Sequence, residues 1–580
     1  MDRFELDYKL SGTIIFLLIA VLVLHNPAKS YQFSIYQSTD LVFWILYSGG
    51  FILTLISLYN KRPLSGAQPE YFLLIVLFMG LLFLPLAHSY SFFGRGDALT
   101  HIGYSRTILI NGEYVAQDIY PALHILTAIV QLSTKSEIYK IGMALPPLFL
   151  LIYFSGTFLL IRDIPTRLTW FAIIISTMPI YLTQNALFSP WTLGFQFLPI
   201  TAYSYYKLVT TNRATRWYII TIAQFFLLLI FHPLITFVIV TVLITTYCLY
   251  TFGVKNSNTN QSTKRILLNS IAINIVLFIM YNLGNLIYLG TKAISKVFVV
   301  LGLSEPVANE SSRLDQYSSV IQSYPIAARD IFEVFIFTYG NLSFVLLIFI
   351  ITSVFVFSNR DQLSNEAKFS MILVVLINSV FSFLGLIGFA SNLIVGMARF
   401  LRVVVAATII FPALVFIKSV PVNAYKHSET YISAILILML LLFCITTLGT
   451  FQSPLTRSTN PQVAQSELEG MEWFIHHQQP DTQINRIRFN PHRFEDALVG
   501  VHNNEIGDLK TVYNVSLHNF SRGSYFITTN LDKYLYPEMY PEYRDFWRYT
   551  PSDYDQRRSN SKANLIYTND NILIYKSTMG

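Results

Sequence analysis

Long apolar runs separated by short charged intervals constrain the fold of this chain more than any other feature of its sequence. Segments such as "YFLLIVLFMGLLFLPLA" and "TYISAILILMLLLFCITTLG" are apolar on every side, whereas a helix on the surface of a soluble protein needs a polar face. Of the 580 residues, 53% are hydrophobic and 13% are charged. The runs are near the length of about 20 residues that crosses a bilayer. The pattern predicts a polytopic α-helical membrane protein.

We count about 13 membrane spans by length and hydropathy. They are predicted at 10–25, 41–59, 71–90, 138–161, 168–184, 190–208, 217–232, 234–252, 266–288, 332–357, 369–389, 394–417 and 430–450. The segment 119–132, "IYPALHILTAIVQL", is short for a span and long for a loop, so we expect an interfacial or re-entrant helix there.

Basic residues give the predicted orientation. With 119–132 at the interface, the basic loops at 60–62, 162–167, 207–216, 255–265, 360–368 and 418–426 all lie on one side, which should be the cytoplasm. The N-terminus is then cytoplasmic, and the loops near 91–137 and 289–331 are external. We therefore predict a multi-pass protein of the cell membrane.

Residues 451–580 differ in composition from the first 450, because the apolar runs end and acids and bases become balanced. Short strand-like stretches such as "RIRF" and "YFITT" appear. The last part, "NLIYTNDNILIYK", alternates around a polar turn and predicts a β-hairpin. We expect a transmembrane domain at 1–450, followed by an external soluble α+β domain at 451–580.

Charge and cysteine usage exclude several classes of protein. The net charge of +7 comes mostly from short loops, where topology explains it, so we predict no nucleic-acid partner. Cys248 and Cys444 both lie in apolar runs, which leaves neither a disulfide framework nor a cysteine metal site. The first run lacks a small-residue cleavage site, and we expect it to be retained as a helix.

The stretch "GRGDALTHIGYSRTILINGEYVAQDIYPALHIL" is a polar island between apolar segments. If a helix begins near Ala98, Asp97 and His101 are four residues apart and face the same way as Tyr104. A carboxylate beside an imidazole can bind a divalent cation such as Mg²⁺ or Mn²⁺, or act as a general base. The alternative is that Asp97 and Asp118 only cap helices. Ionisable groups against a membrane favour function, and we also keep Asp118 and Tyr104 as candidate residues of a substrate cavity.

Other candidates lie far away in the sequence. In "GMARFLR", Arg399 and Arg402 stand near the external end of a predicted span, where their forked guanidinium groups suit a lipid-linked phosphate; the alternative is that they anchor the helix at the interface. His232 lies before a helix-ending proline and is either structural or part of the cavity. Gln184 and Asn185 fall in an external turn and can hydrogen-bond a sugar.

Taken together, these motifs resemble those of the C-type glycosyltransferases, the GT-C fold. The resemblance rests on the acidic "GRGDALTHIG" in the first large external loop, the following "DIYPALHIL", the late "ARFLR" and the external tail ending in "NLIYTNDNILIYK". The layout is similar to that of oligosaccharyltransferase catalytic subunits and of protein or lipid mannosyltransferases. The chain departs from the family in its D-x-x-x-H spacing, in its extra early spans and in lacking W-W-D-Y-G.

The resemblance implies a glycosyltransferase that moves a hexose from a polyprenyl (dolichyl or undecaprenyl) mono- or diphosphate to an external glycan, lipid or protein acceptor. It implies Asp97 as the catalytic or metal-binding carboxylate and Arg399 or Arg402 as the ligand of the carrier phosphate. Two other functions stay open: a transporter or flippase of a lipid-linked or anionic substrate, and a non-catalytic subunit of envelope glycan assembly. The sequence identifies neither the sugar nor the acceptor.

Overall fold

The computed structural model describes residues 12–21, 30–60, 68–115, 118–161, 183–210, 214–248, 261–300, 447–479, 482–501, 511–513, 523–558, 563–569 and 571–577, with a few residues elsewhere. Arg399 and Arg402 lie outside the described residues, as do the predicted spans at 369–389 and 394–417 and most of those at 168–184, 332–357 and 430–450.

Helices dominate residues 12–300. In chain order, those described are α1 Gly12–Val21, α2 Ile35–Ser38, α3 Leu41–Asn60, α4 Gln68–Leu82, α5 Leu84–Ala87, α6 Asp97–Asn111, α7 Pro121–Thr134, α8 Ile138–Ile161, α9 Pro190–Gln196, α10 Leu198–Thr210, α11 Ala214–Phe231, α12 Pro233–Cys248 and α13 Gln261–Val300.

Several of these helices present large apolar side chains outward. Leu41, Phe72, Ile219 and Met280 are each more than 60% exposed. Among the described residues, two helical segments, Ile138–Ile161 and Lys264–Leu283, are long and apolar enough to cross a bilayer. Exposed apolar faces on long helices are what contact with lipid requires, in agreement with the composition.

Prolines explain where the helices depart from the predicted spans. The span predicted at 190–208 is two helices, α9 and α10, which meet at Phe197 just before Pro199. The span predicted at 71–90 divides in the same way before Pro85. A proline lacks the amide proton that would continue the preceding helix. Helix α13 extends to Val300, so the external loop predicted from residue 289 begins as helix.

The polar island folds into the two helices that its pattern predicts. The helix expected near Ala98 is α6, and the short helix expected at 119–132 is α7. Pro121 is the first residue of α7, a position where a missing amide proton removes no helical hydrogen bond. The two helices pack against each other and against α8.

The described part of residues 462–577 contains four α-helices and strands of two to six residues. The helices are α14 Gln465–His477, α15 Pro491–Val499, α16 Asn530–Met539 and α17 Pro551–Arg558, and the strands are β2 Gln462–Val463, β3 Ile484–Arg486, β4 Thr511–Tyr513, β5 Tyr525–Thr529, β6 Ala563–Thr568 and β7 Ile572–Ser577. Five strands form a mixed sheet of order β4-β3-β5-β7-β6. The predicted hairpin is confirmed as the antiparallel pair β6–β7.

The polar island is joined to the C-terminal part by a two-stranded sheet. Strand β1, Phe92–Phe93, pairs antiparallel with β2, and the Gly94 amide donates to the Pro461 carbonyl at 2.9 Å. Helix α6 follows β1 directly and packs against α15. The site described below is therefore enclosed by elements from both ends of the sequence.

Candidate active site

Helix α6 begins at a sharp turn. Gly96 is its N-cap, with φ +67°, a left-handed conformation that favours glycine, and it places Asp97 as the first helical residue. Asp97 therefore does not cap the helix. Instead its Oδ1 accepts a hydrogen bond from Arg493 of α15 at 2.8 Å. The Asp97 side chain is 75% exposed and that of Arg493 is 33% exposed, so the ion pair faces the surface.

Arg493 also reaches the next turn of α6. It donates to Thr100 Oγ1 at 2.6 Å, and Thr100 in turn donates to the Asp496 carboxylate at 2.5 Å. The guanidinium of Arg493 is thereby fixed at the N-terminal end of α6, beside Asp97. A residue almost 400 positions later in the sequence thus supplies a cation to the predicted catalytic loop.

His101 lies one turn beyond Asp97, but in the described structure the two side chains do not bond to each other. His101 Nδ1 is 3.0 Å from His124 Nε2 of α7, and His124 Nδ1 is 2.5 Å from Asp118 Oδ2. The side chains of His124 and Asp118 are 0% and 1% exposed. The three residues form a hydrogen-bonded chain that runs from a buried carboxylate to the partly buried His101.

Asp118 has two bonds that fix its orientation. Its Oδ1 accepts the Tyr120 amide proton at 2.8 Å, just before the first residue of α7, while Oδ2 faces His124. The first contact is a turn across two residues, and it does not cap α7, whose N-cap is Tyr120. The second joins the carboxylate to the buried imidazole of His124.

Aromatic rings surround the histidines. Tyr104 stacks on His124 with centroids 5.0 Å apart, and Tyr120 stacks on His232 at 4.9 Å. His232 follows the last residue of α11, and its Nδ1 accepts the Leu234 amide proton at 3.3 Å. The structure thus brings Tyr104, Asp118 and His232 together with His101 in one cluster.

The surroundings of His101 oppose its protonation. Burial, followed by the neighbouring His124, His232 and Arg493, lowers the pKa of His101 well below its ordinary value. Burial, together with the charges of Asp118 and Asp496, raises the pKa of Tyr104. At neutral pH, His101 is therefore a neutral imidazole and Tyr104 a neutral phenol. A neutral imidazole can accept a proton, which a general base must do.

The other residues predicted from the sequence to line the site lie in another element or outside the described residues. Gln184 and Asn185 lie in a short 3₁₀ helix, Thr183–Ala186, which packs against α8, and Asn185 is buried there. The proposed phosphate ligands, Arg399 and Arg402, are outside the described residues.

The sequence suggests Asp97 and His101 as ligands of a divalent cation. In the described part of the chain, no three His, Cys, Asp or Glu side chains are grouped so as to hold one metal ion. Asp97 is engaged by Arg493, and His101 Nδ1 by His124. Within the described residues, Asp97 and His101 therefore do not form a metal site by themselves.

Sequence reasoning missed His124 and Arg493. His124 lies inside the quoted "DIYPALHIL", and a histidine on the apolar face of a helix, six residues after an aspartate, was the available signal. Arg493 offered none, because its approach to Asp97 depends on the packing of α15 against α6.

Comparisons with known proteins find similar structures only. No protein-family model matches the chain, and no curated protein matches it. Among solved structures, the Archaeoglobus fulgidus oligosaccharyltransferase in complex with zinc and sulfate is similar at 12% identity and a TM-score of 0.41, over 70% of this chain and 58% of that one. The chain thus spans little more than half of that protein.

ArnT from Cupriavidus metallidurans is similar in its apo state, at 9% identity and a TM-score of 0.45, over 88% of this chain and 98% of that one. Its complex with undecaprenyl phosphate is similar at 8% identity and a TM-score of 0.44, over 93% and 98% of the two chains. At such low identity and TM-score, function has to be argued from the side chains of the site.

Proposed function

We propose that the protein is a membrane-embedded glycosyltransferase, inverting at the anomeric carbon, that moves a hexose from a polyprenyl phosphate or diphosphate to a hydroxyl of an external glycan, lipid or protein. The observation that carries this proposal is the juxtaposition of Asp97, held by Arg493, with His101, a neutral imidazole one turn further along α6. It offers an acceptor hydroxyl both an orienting carboxylate and a base.

The reaction needs one proton acceptor. The acceptor oxygen attacks the anomeric carbon, the bond from that carbon to the phosphate oxygen breaks, and the carrier phosphate leaves with the electron pair. The hydroxyl proton passes to His101 Nε2, because Nδ1 is already directed at His124. Asp97 accepts a hydrogen bond from a second donor group of the acceptor, and so orients the attacking oxygen. A positioned base of this kind contributes about 100-fold or more to rate.

The leaving phosphate gains charge as the bond breaks, and fixed cations stabilise that charge. We assign this task to Arg399 and Arg402, as their sequence context suggests. Arg493 is a further cation at the acceptor end of the site, fixed by Thr100 and Asp97. The lipid tail of the donor would lie between apolar helices, and the C-terminal part, through α15, would shape the acceptor side.

The test is transfer of radiolabelled hexose from a synthetic polyprenyl-phosphate hexose to acceptors in membranes that contain the protein. We expect Asp97→Asn and His101→Gln each to lower turnover about 100-fold or more. Asp555→Asn is the matched control, since Asp555 is also an exposed carboxylate in an ion pair, with Lys533 at 2.6 Å, but lies away from α6. It should transfer normally.

Near-normal turnover by Asp97→Asn at equal protein level would overturn the assignment of Asp97. A wild-type protein that moves the intact lipid-linked sugar across vesicles, with no transfer to any acceptor, would instead favour a flippase. Analysis of the glycans and glycolipids missing from a deletion strain would identify the sugar and the acceptor.

A further inference from the structure

The hydrogen-bonded chain behind His101 has a defined direction. Asp118, as a carboxylate, can only accept, so His124 Nδ1 carries the proton of the 2.5 Å bond. His124 Nε2 is then an acceptor if the ring is neutral, and the proton of the 3.0 Å bond belongs to His101 Nδ1. The remaining His101 nitrogen, Nε2, is left unprotonated, as a base requires.

The two imidazoles are arranged for this bond. Their centroids are 5.1 Å apart and their planes are inclined by 28°, so the hydrogen bond lies close to both ring planes. Tyr104 covers one face of His124, and the ring of Tyr120 meets that of His101 edge-on at 5.9 Å. Both rings are therefore packed against aromatic neighbours in the orientation that makes this bond.

We propose that Asp118 and His124 are positioning residues that fix His101 in the tautomer with an unprotonated Nε2 and stabilise the cation that His101 becomes when it takes the acceptor proton. This inference deepens the proposed function and rests on it. When the acceptor O–H bond breaks, its proton bonds to Nε2, and His101 keeps its Nδ1 proton directed at His124. The buried charge of Asp118 then faces the new positive charge through the ring of His124.

Other groups near His101 disfavour the positive charge that Asp118 would stabilise. His232, at the junction of α11 and α12, and Arg493, on α15, both disfavour a positive charge on His101, as does the ring of His124 itself. Tyr120 contributes the edge of its ring. Of the groups named, Asp118 is the one whose negative charge is connected to His101 through hydrogen bonds. Its removal should therefore take away the one negative charge that is connected to the cation through hydrogen bonds.

Asp118→Asn tests the proposal. The carboxylate accepts the two bonds through different oxygens, whereas an asparagine has an NH2 donor in place of one of them, which would face either the Tyr120 amide or the His124 Nδ1 proton. We expect the variant to lower kcat about 100-fold while leaving KM for a polyprenyl-phosphate hexose within about threefold of wild type.

Asp532→Asn is the matched control. Asp532 is also a buried carboxylate that accepts backbone amide protons, from Thr529 and Arg488, but it lies at the start of α16. That variant should lower thermal stability while leaving the pH profile of kcat unchanged. An equal effect of both substitutions on kcat and its pH profile would overturn the proposal.

A second measurement does not depend on transfer. Exchange of the histidine carbon-bound hydrogen with solvent deuterium, followed by mass spectrometry against pH, reports the protonation of each imidazole. For His101, the pH at the midpoint of the exchange-rate curve should be lower in Asp118→Asn than in wild type. In Asp532→Asn this midpoint should not change. An unchanged midpoint in Asp118→Asn would overturn the proposal, and wild-type protein without transferase activity would overturn only the proposed function.

Two substitutions of His124 distinguish a role in positioning His101 from a role in folding. Glutamine at 124 can offer an amide oxygen to His101 Nδ1, while leucine cannot. At equal amounts of folded protein, His124→Gln should retain at least about tenfold more activity than His124→Leu. Equal activity of the two variants would contradict a positioning role for His124.

Discussion

His101 links the chemistry of the site to the stability of the protein. In the unfolded chain its imidazole titrates near 6.5, whereas in the fold its pKa lies well below that value, because of burial and of nearby His124, His232 and Arg493. Between these two values the unfolded chain binds more protons than the folded one. The free energy of unfolding therefore falls as the pH is lowered through this window.

We expect the purified protein to lose thermal stability between about pH 7.5 and about pH 5.5, by at most about 1.4 kcal/mol per pH unit from His101. Because glutamine does not titrate, His101→Gln should lose less over the same interval. His476→Gln, at an exposed histidine of α14, is the control and should behave as wild type. The measurement is the melting temperature at the two pH values, and equal losses in wild type and His101→Gln would contradict the pKa shift.

At the residue scale, the sequence predicts which stretch holds the candidate chemistry but not how its side chains pair. The spacing of Asp97 and His101 places both on α6, as expected. Their partners, Arg493 and His124, come from other helices, and helical periodicity contains no information on such contacts. The roles of Asp97, His101, Arg399 and Arg402 stay predictions.

At the scale of elements, the contact between α6 and α15 is unusually close. A Cβ placed on Gly103 would lie 2.4 Å from the Asp496 carbonyl oxygen, which is backbone and cannot rotate away. Nearby, Thr107 Oγ1 accepts the Val501 amide proton at 2.9 Å, and Tyr139 donates to the Ala497 carbonyl at 3.2 Å. The absence of a side chain at residue 103 is what allows α15 to deliver Arg493 to the site.

Gly103→Ala should separate these two helices. We expect it to lower the free energy of unfolding by about 1 to 3 kcal/mol and to reduce transfer, because Arg493 would no longer reach Asp97. Gly49→Ala is the matched control, since Gly49 also lies inside a helix, α3, and a Cβ there would meet nothing within 4 Å. Thermal unfolding and the transfer assay measure both effects, and equal behaviour of the two variants would contradict the close contact.

The helices were largely predictable because their signals are local. Apolar runs, prolines and the polar interval at 94–126 lead to α6, α7 and α8, and the alternation in the last residues leads to β6–β7. The breaks at Phe197 and before Pro85 were missed, since a single proline competes with an otherwise continuous apolar run. The pairing of β1 with β2 was not predictable from two-residue strands so far apart.

At the scale of the whole molecule, a buried ion pair holds the polar island to the C-terminal part. Arg95 donates to Glu467 at 2.6 Å and to the Gln462 carbonyl at 2.8 Å, and the Glu467 side chain is 1% exposed. Glu467 also accepts the Ala464 amide proton at 3.0 Å. Removing the charge of Glu467 leaves the guanidinium of Arg95, which is 18% exposed, without its partner.

Glu467→Gln should therefore lower the free energy of unfolding by about 3 kcal/mol and make the C-terminal part more sensitive to limited proteolysis. The control, Asp555→Asn, breaks an ion pair whose carboxylate is 64% exposed, and it should cost about 1 kcal/mol or less. Melting temperatures and protease digestion in detergent provide the test. A Glu467→Gln protein as stable as the control would show that the pair does not hold the two parts together.

The pairing of β1 with β2 also determines when the site can assemble during synthesis of the chain. Arg95 and Gln462 are 367 residues apart in the chain, and Asp97 and Arg493 are 396 apart. During synthesis, the first loop leaves the ribosome long before the segment that completes its sheet and supplies its arginine. Asp97 therefore has no Arg493 partner while the intervening helices are inserted into the membrane. A prematurely terminated chain would contain Asp97 and His101 without an assembled site.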